Sequence, residues 1–197
     1  MKNINDIRND FPILNTEVYG KPLVYFDNGA TTQKPQLVLD KVNEVNTIYN
    51  SNIHRGVHAL SERASEEYEI AREKVRSFIN AGKKEEIIFT SGTTGSINTV
   101  AFSFGERFIS TGDEIIISHL EHHANIVPWQ MLCDRKNAIL RVIPIDDNGE
   151  IILDRYLELL SPRTKLVAVS QVSNALGVVL PLDKIISAAH SKNIPVL

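Results

Sequence analysis

The sequence predicts an α/β protein whose mainly parallel sheet is covered by helices on both faces. From about residue 87 onward, short apolar runs rich in β-branched residues alternate with segments of helical periodicity. The runs are continuous rather than interrupted by polar residues, which is typical of strands buried on both sides. The predicted strands are residues 87–89, 115–117, 140–145, 166–172 and 194–197. The predicted helices are residues 96–108, 126–138, 154–160 and 182–192.

The residues before this alternation form a second set of elements. Residues 2–14 suit a short helix, and residues 23–26 are predicted to be a strand that ends in a turn at 27–30. Helices are predicted at 36–49 and at 61–79. In the longer helix, apolar residues spaced three and four apart predict one buried stripe. The stripe consists of Leu60, Ala64, Tyr68, Ala71, Val75, Phe78 and Ile79.

This order of elements divides the chain into two parts. Residues 1–80 are expected to be an N-terminal arm and helices that wrap the sheet, and residues 81–197 the first part of an α/β domain. Ligands bind such sheets where strands end and helices begin. Polar residues at those positions are therefore the candidates for function.

Composition excludes several classes of protein. The net charge is −3 with acids and bases interspersed, which gives no reason to expect nucleic acid or a membrane surface as partner. No apolar run approaches the length that spans a bilayer, and the N-terminus has no apolar core typical of a signal peptide. The one cysteine, Cys133, forms no internal disulfide and suits the cytoplasm.

A glycine and two threonines follow the predicted strand at 87–89. Gly92 allows a tight turn, and the free amides that open the next helix, with the hydroxyls of Thr93 and Thr94, suit a phosphate group. Helix capping by Thr94 or Ser96 explains the same residues. Taken alone, the tripeptide favours capping.

Three histidines follow the strand at 115–117. His119, His122 and His123 form H-x-x-H-H, a spacing that can present two imidazoles to zinc. No carboxylate-rich partner segment accompanies them, so a metal site is not predicted. Two alternatives remain: surface histidines, or one imidazole lying flat against a conjugated ring.

Two further segments carry polar side chains in loops. Asn174 follows the strand at 166–172 and can donate to a ligand oxygen, although asparagine at a strand end is also ordinary turn chemistry. His54 and Arg55 precede the long helix, where an arginine suits an anionic substrate and a solvated loop is an equal alternative. The segments after successive parallel strands are expected to meet at one edge of the sheet.

Several of these segments closely resemble the Suf-type, group II cysteine desulfurases, which belong to the class V aminotransferase family of pyridoxal-phosphate enzymes. The resemblance extends from about residue 6 to residue 197, and EHHAN followed by VPWQ is its most specific part. It implies the large domain of the pyridoxal-phosphate fold-type I architecture. The matching segments are FDNGATTQKP (26–35), NSNIHRGVH (50–58), GTT (92–94), EHHANIVPWQ (121–130) and VSNALG (172–177).

The resemblance implies roles for cofactor-binding residues. Thr93 and Thr94 match the turn that binds the phosphate of pyridoxal 5′-phosphate. His122 matches the imidazole that stacks on the pyridine ring and takes part in catalysis. Asn174 matches the amide that binds the phenolic oxygen of the cofactor and lies near the substrate carboxylate.

The resemblance also implies a substrate mouth, formed by the residues that match Ala30, His54 and Arg55. Some members of the family have an arginine before GTT and a glutamate after it. Ser91 and Gly95 stand at those positions here, which leaves the phosphate turn intact but weakens assignment to a subgroup.

In the family, the strand that matches residues 194–197 leads to an Asp that pairs with the pyridine nitrogen. Beyond it lie a Ser-x-His-Lys motif with the cofactor-binding lysine, a nucleophilic cysteine and an arginine. The sequence contains no Ser-x-His-Lys motif. Cys133 is expected to be a buried helical residue rather than the nucleophile. The chain is therefore expected to be the N-terminal part of such an enzyme, truncated within the domain and inactive alone.

The activity that the resemblance implies is conversion of L-cysteine to L-alanine. The sulfur leaves as an enzyme persulfide and passes to an acceptor or scaffold protein for iron–sulfur cluster assembly. A homodimer in the cytoplasm is expected for the full-length enzyme.

Three alternatives remain open. The first is another class V enzyme, such as a selenocysteine lyase or an aminotransferase. The second is an adenylate-forming ligase, whose phosphate loop resembles TSGTTGS (90–96), although the Pro-Lys-Gly that completes that loop is missing. The third is a non-catalytic chain that pairs with subunits of the family.

Overall fold

The structure, a computed structural model, describes residues 3–197, which divide into two compact units. One unit ends at Ile88, and the other runs from Phe89 to Leu197. The predicted boundary after residue 80 and the wrapping role of the residues before it stay predictions. No helix among residues 3–197 combines the length and the apolar character needed to cross a bilayer.

The first unit is mostly helical. Its helices are α1 (Ile4–Asn9), α2 (Gln36–Glu44) and α3 (Ala59–Phe78), and its strands are β1 (Glu17–Val18) and β2 (Lys21–Pro22). Two 3₁₀ turns, Pro12–Asn15 and Lys84–Glu86, and a π-helical extension of α2 at Val45–Tyr49 complete it. The helices predicted at 36–49 and 61–79 are confirmed. The arm contains α1, and the Lys2 end of the predicted arm lies outside the described residues.

The strand predicted at 23–26 is wrong, because the chain pairs earlier. β1 and β2 form a two-residue antiparallel hairpin, with Glu17 opposite Pro22. Its turn residues, Tyr19 and Gly20, both have positive φ, 54° and 68°. A two-residue loop of that type matches the twist of paired strands. Residues 23–26 follow the hairpin without strand geometry.

The buried stripe predicted on the long helix is also wrong. Phe78 is 90% exposed, Ile79 57% and Leu60 46%, and the one buried residue of α3 is Ser61. Both hydrophobic clusters found in the described residues consist of residues from Ile97 onward. Helical periodicity therefore identified the apolar face of α3 correctly, but no cluster within residues 3–197 covers it.

The second unit contains a parallel sheet and five helices. Its strands are β3 (Glu114–Ser118), β4 (Ile139–Ile143) and β5 (Thr164–Ala168). Its helices are α4 (Thr93–Val100), α5 (Glu106–Phe108), α6 (Val127–Lys136), α7 (Leu153–Leu159) and α8 (Leu182–His190), with a π-helical segment at Ala101–Gly105 and a 3₁₀ turn at His123–Asn125. All four predicted helices of this part are confirmed.

The strand order is β4-β3-β5, and both pairs are parallel. Val196 adds a parallel bridge to Val167 on the outer side of β5, so the run at 194–197 begins to pair where a further strand was predicted. The strand predicted at 87–89 is wrong. The Ile87 amide donates to Lys84 O of the preceding 3₁₀ turn, and residues 87–89 do not have strand geometry.

Helices cover both faces of the sheet, as predicted. Alternate side chains of a strand point to opposite faces. Ile116 of β3 packs in a cluster with the side chains of α7 and α8, whereas Ile115 and Ile117 pack in a second cluster with those of α4 and α6. The α/β fold class is therefore confirmed, and the site segments can be placed relative to the strands that precede them.

The amino end of β3 is fixed by a buried carboxylate. Glu114 is 2% exposed and accepts hydrogen bonds from Ser161 Oγ at 2.5 Å and Arg141 Nη2 at 2.9 Å. Burial acts to raise the pKa of Glu114, but the hydroxyl and the guanidinium outweigh it and hold the pKa below its usual value. This end of the strand lies opposite the end that leads to His122.

Candidate functional site

The turn before α4 presents free amides. Gly92 is the residue that caps α4, with φ 139° and ψ 176°, and as a glycine it has no side chain that could make a capping hydrogen bond. The capping role considered for Thr94 and Ser96 is therefore wrong. Ser96 Oγ instead bonds back to Gly92 O at 3.2 Å and to Thr90 Oγ1 at 2.6 Å.

The first turn of α4 has the chemistry of an anion site. Thr93 and Thr94 are exposed, and the amide of Ser96 is the first in the helix to find a backbone acceptor, Gly92 O at 3.0 Å. Within the described part of the chain, nothing accepts from the amides of Thr93, Thr94 and Gly95. Three unpaired N–H groups and two hydroxyls at a helix N-terminus favour a phosphate group.

His122 opens the 3₁₀ turn His123–Asn125. It has φ −68° and ψ 149°, and its Nδ1 accepts a hydrogen bond from the Ala124 amide at 3.0 Å. In the neutral imidazole the proton is therefore on Nε2. His122 is exposed, so its imidazole is accessible to a ligand.

The neighbouring histidines do not form a cluster with His122. The ring of His123 stands edge-on to that of His122, with centroids 6.1 Å apart. His119 is exposed at the end of β3, and its amide donates to Ile143 O. Across residues 3–197 there is no group of three His, Cys, Asp or Glu side chains arranged to hold a metal ion.

A buried network anchors the loop that carries His122. Glu121 is 8% exposed and accepts hydrogen bonds from Ser118 Oγ at 2.5 Å and Asn125 Nδ2 at 2.8 Å. Ser170, just after β5, donates to the same carboxylate through its amide at 2.9 Å and its hydroxyl at 2.6 Å. Trp129, which is fully buried, donates its Nε1–H to Asn125 Oδ1 at 2.8 Å.

Asn174 lies in a tight loop that follows β5. Val172 and Val179 form an antiparallel bridge, and the Ser173 amide donates to Val178 O at 2.9 Å. Gly177, with φ 71°, closes the loop. Asn174 is exposed, and within residues 3–197 its side-chain amide makes no hydrogen bond, so both of its polar atoms are available to a ligand.

The predicted segments that follow β3 and β5 leave from the same edge of the sheet, and α4 contacts the first of them. α4 contacts the 3₁₀ turn that follows His122. The loop of His122 is hydrogen-bonded through Glu121 to Ser170, four residues before Asn174. β3 and β5 are parallel, so both loops leave from carboxyl ends of strands. The roles of Thr93, Thr94, His122 and Asn174 stay predictions.

The other predicted residues lie in the first unit. Ala30 closes a turn in which its amide donates to Asp27 O at 3.2 Å. His54 has φ 59°, its amide donates to Ser65 Oγ at 2.8 Å, and its Nε2 lies 3.4 Å from Glu69 Oε1. Arg55 is exposed.

Ser61 holds the loop that carries His54 and Arg55. Its hydroxyl donates to Asn52 O at 2.6 Å and accepts from the Gly56 amide at 3.1 Å. A Cβ on Gly56 would lie 2.6 Å from the Cβ of Ser61, so this contact requires glycine. The sequence did not identify Ser61, because a serine in the first turn of a helix is most often read as a cap.

Cys133 is a core residue, as predicted. It is 5% exposed and belongs to the cluster that packs β3 against α4 and α6. Burial, with a smaller effect of Asp134, raises the pKa of its thiol to about 11. A protonated, buried thiol has little nucleophilic character.

The chain is similar in sequence and fold to known cysteine desulfurases. A cysteine desulfurase of Synechococcus elongatus is 54% identical over 98% of the chain, and one of Klebsiella pneumoniae is 47% identical over 98%. The solved apo structure of the cysteine desulfurase from Thermococcus onnurineus NA1 matches 100% of the chain with a TM-score of 0.90 and 38% identity. The chain spans 31% and 48% of the lengths of the two relatives and 47% of the solved chain.

The family described as aminotransferase class-V matches residues 24–197. The match covers the sheet, the α4 turn and the loops of His122 and Asn174, so the resemblance predicted from the motifs is confirmed. The family match excludes the adenylate-forming alternative, because the TSGTTGS segment (90–96) lies within a domain of the class V family. The chain belongs to the aminotransferase class-V family.

Proposed function

We propose that the whole protein to which these 197 residues belong is a pyridoxal-phosphate-dependent cysteine desulfurase. Its reaction is conversion of L-cysteine to L-alanine, with the sulfur retained as a persulfide. Support comes from the names of relatives that are 47% and 54% identical over nearly the whole chain. The observation that carries the proposal is the set of unpaired amides in the first turn of α4, a helix that contacts the turn after His122.

The side chains present fit pyridoxal 5′-phosphate. The amides of the first turn of α4, with the hydroxyls of Thr93 and Thr94, would hold the phosphate. The exposed imidazole of His122 and the free amide of Asn174 suit a conjugated ring that carries an oxygen. When bound, the cofactor withdraws electrons from the amino-acid substrate, which cleavage of the carbon–sulfur bond requires.

His122 has two roles in this proposal. Its imidazole packs against the aromatic ring and orients it. Because Nδ1 accepts from the Ala124 amide, Nε2 is the atom that holds or moves a proton. Asn174 donates its amide to the phenolic oxygen and lies near the substrate carboxylate.

The proposal also assigns substrate binding to three residues of the first unit. Ala30, His54 and Arg55 bind the substrate in this proposal, and the exposed guanidinium of Arg55 suits the carboxylate of L-cysteine. The loop is held by Ser61, so the guanidinium projects from a fixed backbone.

The partners and location complete the proposal. The persulfide sulfur passes to an acceptor or iron–sulfur scaffold protein, the whole enzyme is a homodimer, and it works in the cytoplasm. The use of a single cysteine, Cys133, suits a reducing compartment.

The test is product analysis. The whole protein, purified with pyridoxal 5′-phosphate, is incubated with L-cysteine, and alanine and sulfide are measured in the presence of a thiol reductant. We expect the two in equal amounts, and a His122→Gln variant that retains the cofactor but loses most of the rate. Selenocysteine cleavage alone, or a keto acid instead of alanine, would assign the protein to another class V activity.

A further inference from the structure

Glu121 is a buried carboxylate whose partners are all neutral. Its oxygens accept from the hydroxyls of Ser118 and Ser170, from the Ser170 amide and from Asn125 Nδ2, at 2.5 to 3.1 Å. No cation lies within ion-pair distance of it among residues 3–197. Taking a carboxylate out of water is costly unless hydrogen bonds replace the lost solvation. Its position is therefore fixed by four donor groups rather than by a charge partner.

The donors come from three separate segments. Ser118 is the last residue of β3, Asn125 is the last residue of the 3₁₀ turn, and Ser170 follows β5. Glu121 therefore links the carboxyl ends of two neighbouring strands to the turn between β3 and α6. Asn125 extends the network to the buried indole of Trp129, which fixes the start of α6.

The network determines where the His122 imidazole sits. His122 is exposed, and the hydrogen bond that orients its ring is internal to its own turn, from the Ala124 amide to Nδ1. The turn itself is held on one side by the side chain of Glu121 and on the other by Asn125, which is bonded to the same carboxylate. Loss of that carboxylate would free both ends of the turn.

The same carboxylate sets the distance between the two loops of the site. Its bonds to Ser170 tie the His122 segment to the chain four residues before Asn174. One buried carboxylate therefore anchors both the loop that carries the His122 imidazole and the chain that leads to the Asn174 amide.

We propose that Glu121 is a positioning residue, which fixes the His122 turn relative to the Asn174 loop through Ser170. It touches neither substrate nor cofactor. The inference rests on the proposed function for the identity of the ligand, but the fixing of the turn can be measured without any ligand.

The experiment compares two buried glutamates of one strand–loop segment in the whole protein. Glu121→Gln replaces one acceptor oxygen by an N–H₂ group that faces other donors. Glu114→Gln makes the same change at the amino end of β3, where the carboxylate is also buried and also bonded by a serine hydroxyl at 2.5 Å. Glu114→Gln is the matched control for loss of stability.

The first readout is hydrogen exchange of the Ala124 amide in the cofactor-free protein. We expect Glu121→Gln to accelerate it by at least about tenfold, because the lost hydrogen bond involves a charged acceptor. The second readout is the circular dichroism of bound pyridoxal 5′-phosphate near its visible absorption band, which reports the orientation of the ring. Its intensity should fall in Glu121→Gln and stay unchanged in Glu114→Gln.

A further pair of variants covers the case in which Glu121→Gln does not fold. Ser170→Ala removes the 2.6 Å hydroxyl bond but keeps the bonds of the backbone amide, and Ser170→Thr restores the hydroxyl. We expect faster exchange and weaker dichroism in Ser170→Ala and recovery in Ser170→Thr. Equal effects of Glu114→Gln and Glu121→Gln, or unchanged exchange at Ala124, would overturn the proposal. Absence of desulfurase activity alone would count against the proposed function only.

Discussion

Replacement of Gly92 by alanine tests whether the backbone geometry of the α4 tip makes the phosphate site. Gly92 has φ 139° and ψ 176°, a region that is essentially restricted to glycine. A Cβ built on Gly92 meets no atom within 4 Å. The cost of the substitution therefore comes from the backbone alone and not from a steric clash.

The size of the effect follows from that strain. A residue held in such a region costs about 1–3 kcal/mol, which corresponds to a factor of roughly 5 to 150 in an equilibrium constant. The turn has two ways to respond. It keeps its shape and the protein loses stability, or it relaxes and the amides of Thr93 and Thr94 turn away. Binding requires the first shape. A turn that relaxes in the free protein must therefore be strained again on binding, which raises the dissociation constant.

The assay is titration of the cofactor-free whole protein with pyridoxal 5′-phosphate, together with denaturant unfolding. We expect the dissociation constant of Gly92→Ala to rise by roughly 5- to 150-fold. Gly112→Ala is the matched control, because Gly112 also has positive φ, 79°, and open space around its Cβ, but it lies in the turn before β3. It should lower stability without changing the dissociation constant.

The reasoning is refuted if Gly92→Ala binds the cofactor as tightly as the unaltered protein while unfolding at the same denaturant concentration. It is also refuted if Gly112→Ala weakens binding as much as Gly92→Ala does, since the effect would then be one of stability.

Three further predictions concern the core of the second unit. Cys133, whose thiol pKa is raised to about 11 from an ordinary 9.0, should be alkylated by iodoacetamide at pH 8 at least about 100-fold more slowly in the folded protein than after unfolding, as measured by mass spectrometry of its peptide. The pKa of the Glu114 carboxyl is lower in the folded protein than in the unfolded chain. The ionised carboxylate therefore stabilises the fold at pH values above the unfolded pKa. This stabilisation is lost as the pH falls through the folded pKa. Glu114→Gln should therefore be less stable at pH 7, yet lose less of its unfolding free energy on acidification below about pH 4.5, and a parallel loss in both proteins would contradict this. Tyr156→Phe removes the hydrogen bond from the buried hydroxyl to Ile185 O, 2.8 Å long, which joins α7 to α8, and should cost about 1–3 kcal/mol in denaturant unfolding because the carbonyl loses its side-chain donor.

The sheet was predictable because its strands are buried on both faces. The continuous apolar run of β3 is fully buried, and its neighbours pair in parallel as the alternation with helices indicates. The pattern failed for residues 87–89, where an apolar run does not form a strand. A strand depends on the hydrogen bonds of a neighbour, which a local pattern does not contain.

The hairpin of the first unit was missed for a related reason. Its turn, Tyr19-Gly20, requires positive φ at both positions, and the sequence there lacks the Asn-Gly or Asp-Gly pair that usually marks such a turn. The stripe on α3 shows the converse limit. Periodicity identifies which face of a helix is apolar, but it does not show what covers that face.

The site was predictable as a set of loops but not as a network. The position of His122 after a strand, and its match to EHHAN, placed the imidazole at the carboxyl edge of the sheet. The partner of Glu121, Ser170, is 49 residues away in sequence and has no motif of its own. Long-range hydrogen bonds of this kind become visible only when the fold brings the loops together.

The central claim is that the α4 tip, His122 and Asn174 bind one molecule of pyridoxal 5′-phosphate. A crystal structure of the whole protein with this cofactor tests it most directly. We expect phosphate oxygens within about 3.2 Å of the amides of Thr93, Thr94 and Gly95, with the ring against His122 and its phenolic oxygen on Asn174. A phosphate bound away from α4, or a ring that contacts neither side chain, would contradict the claim.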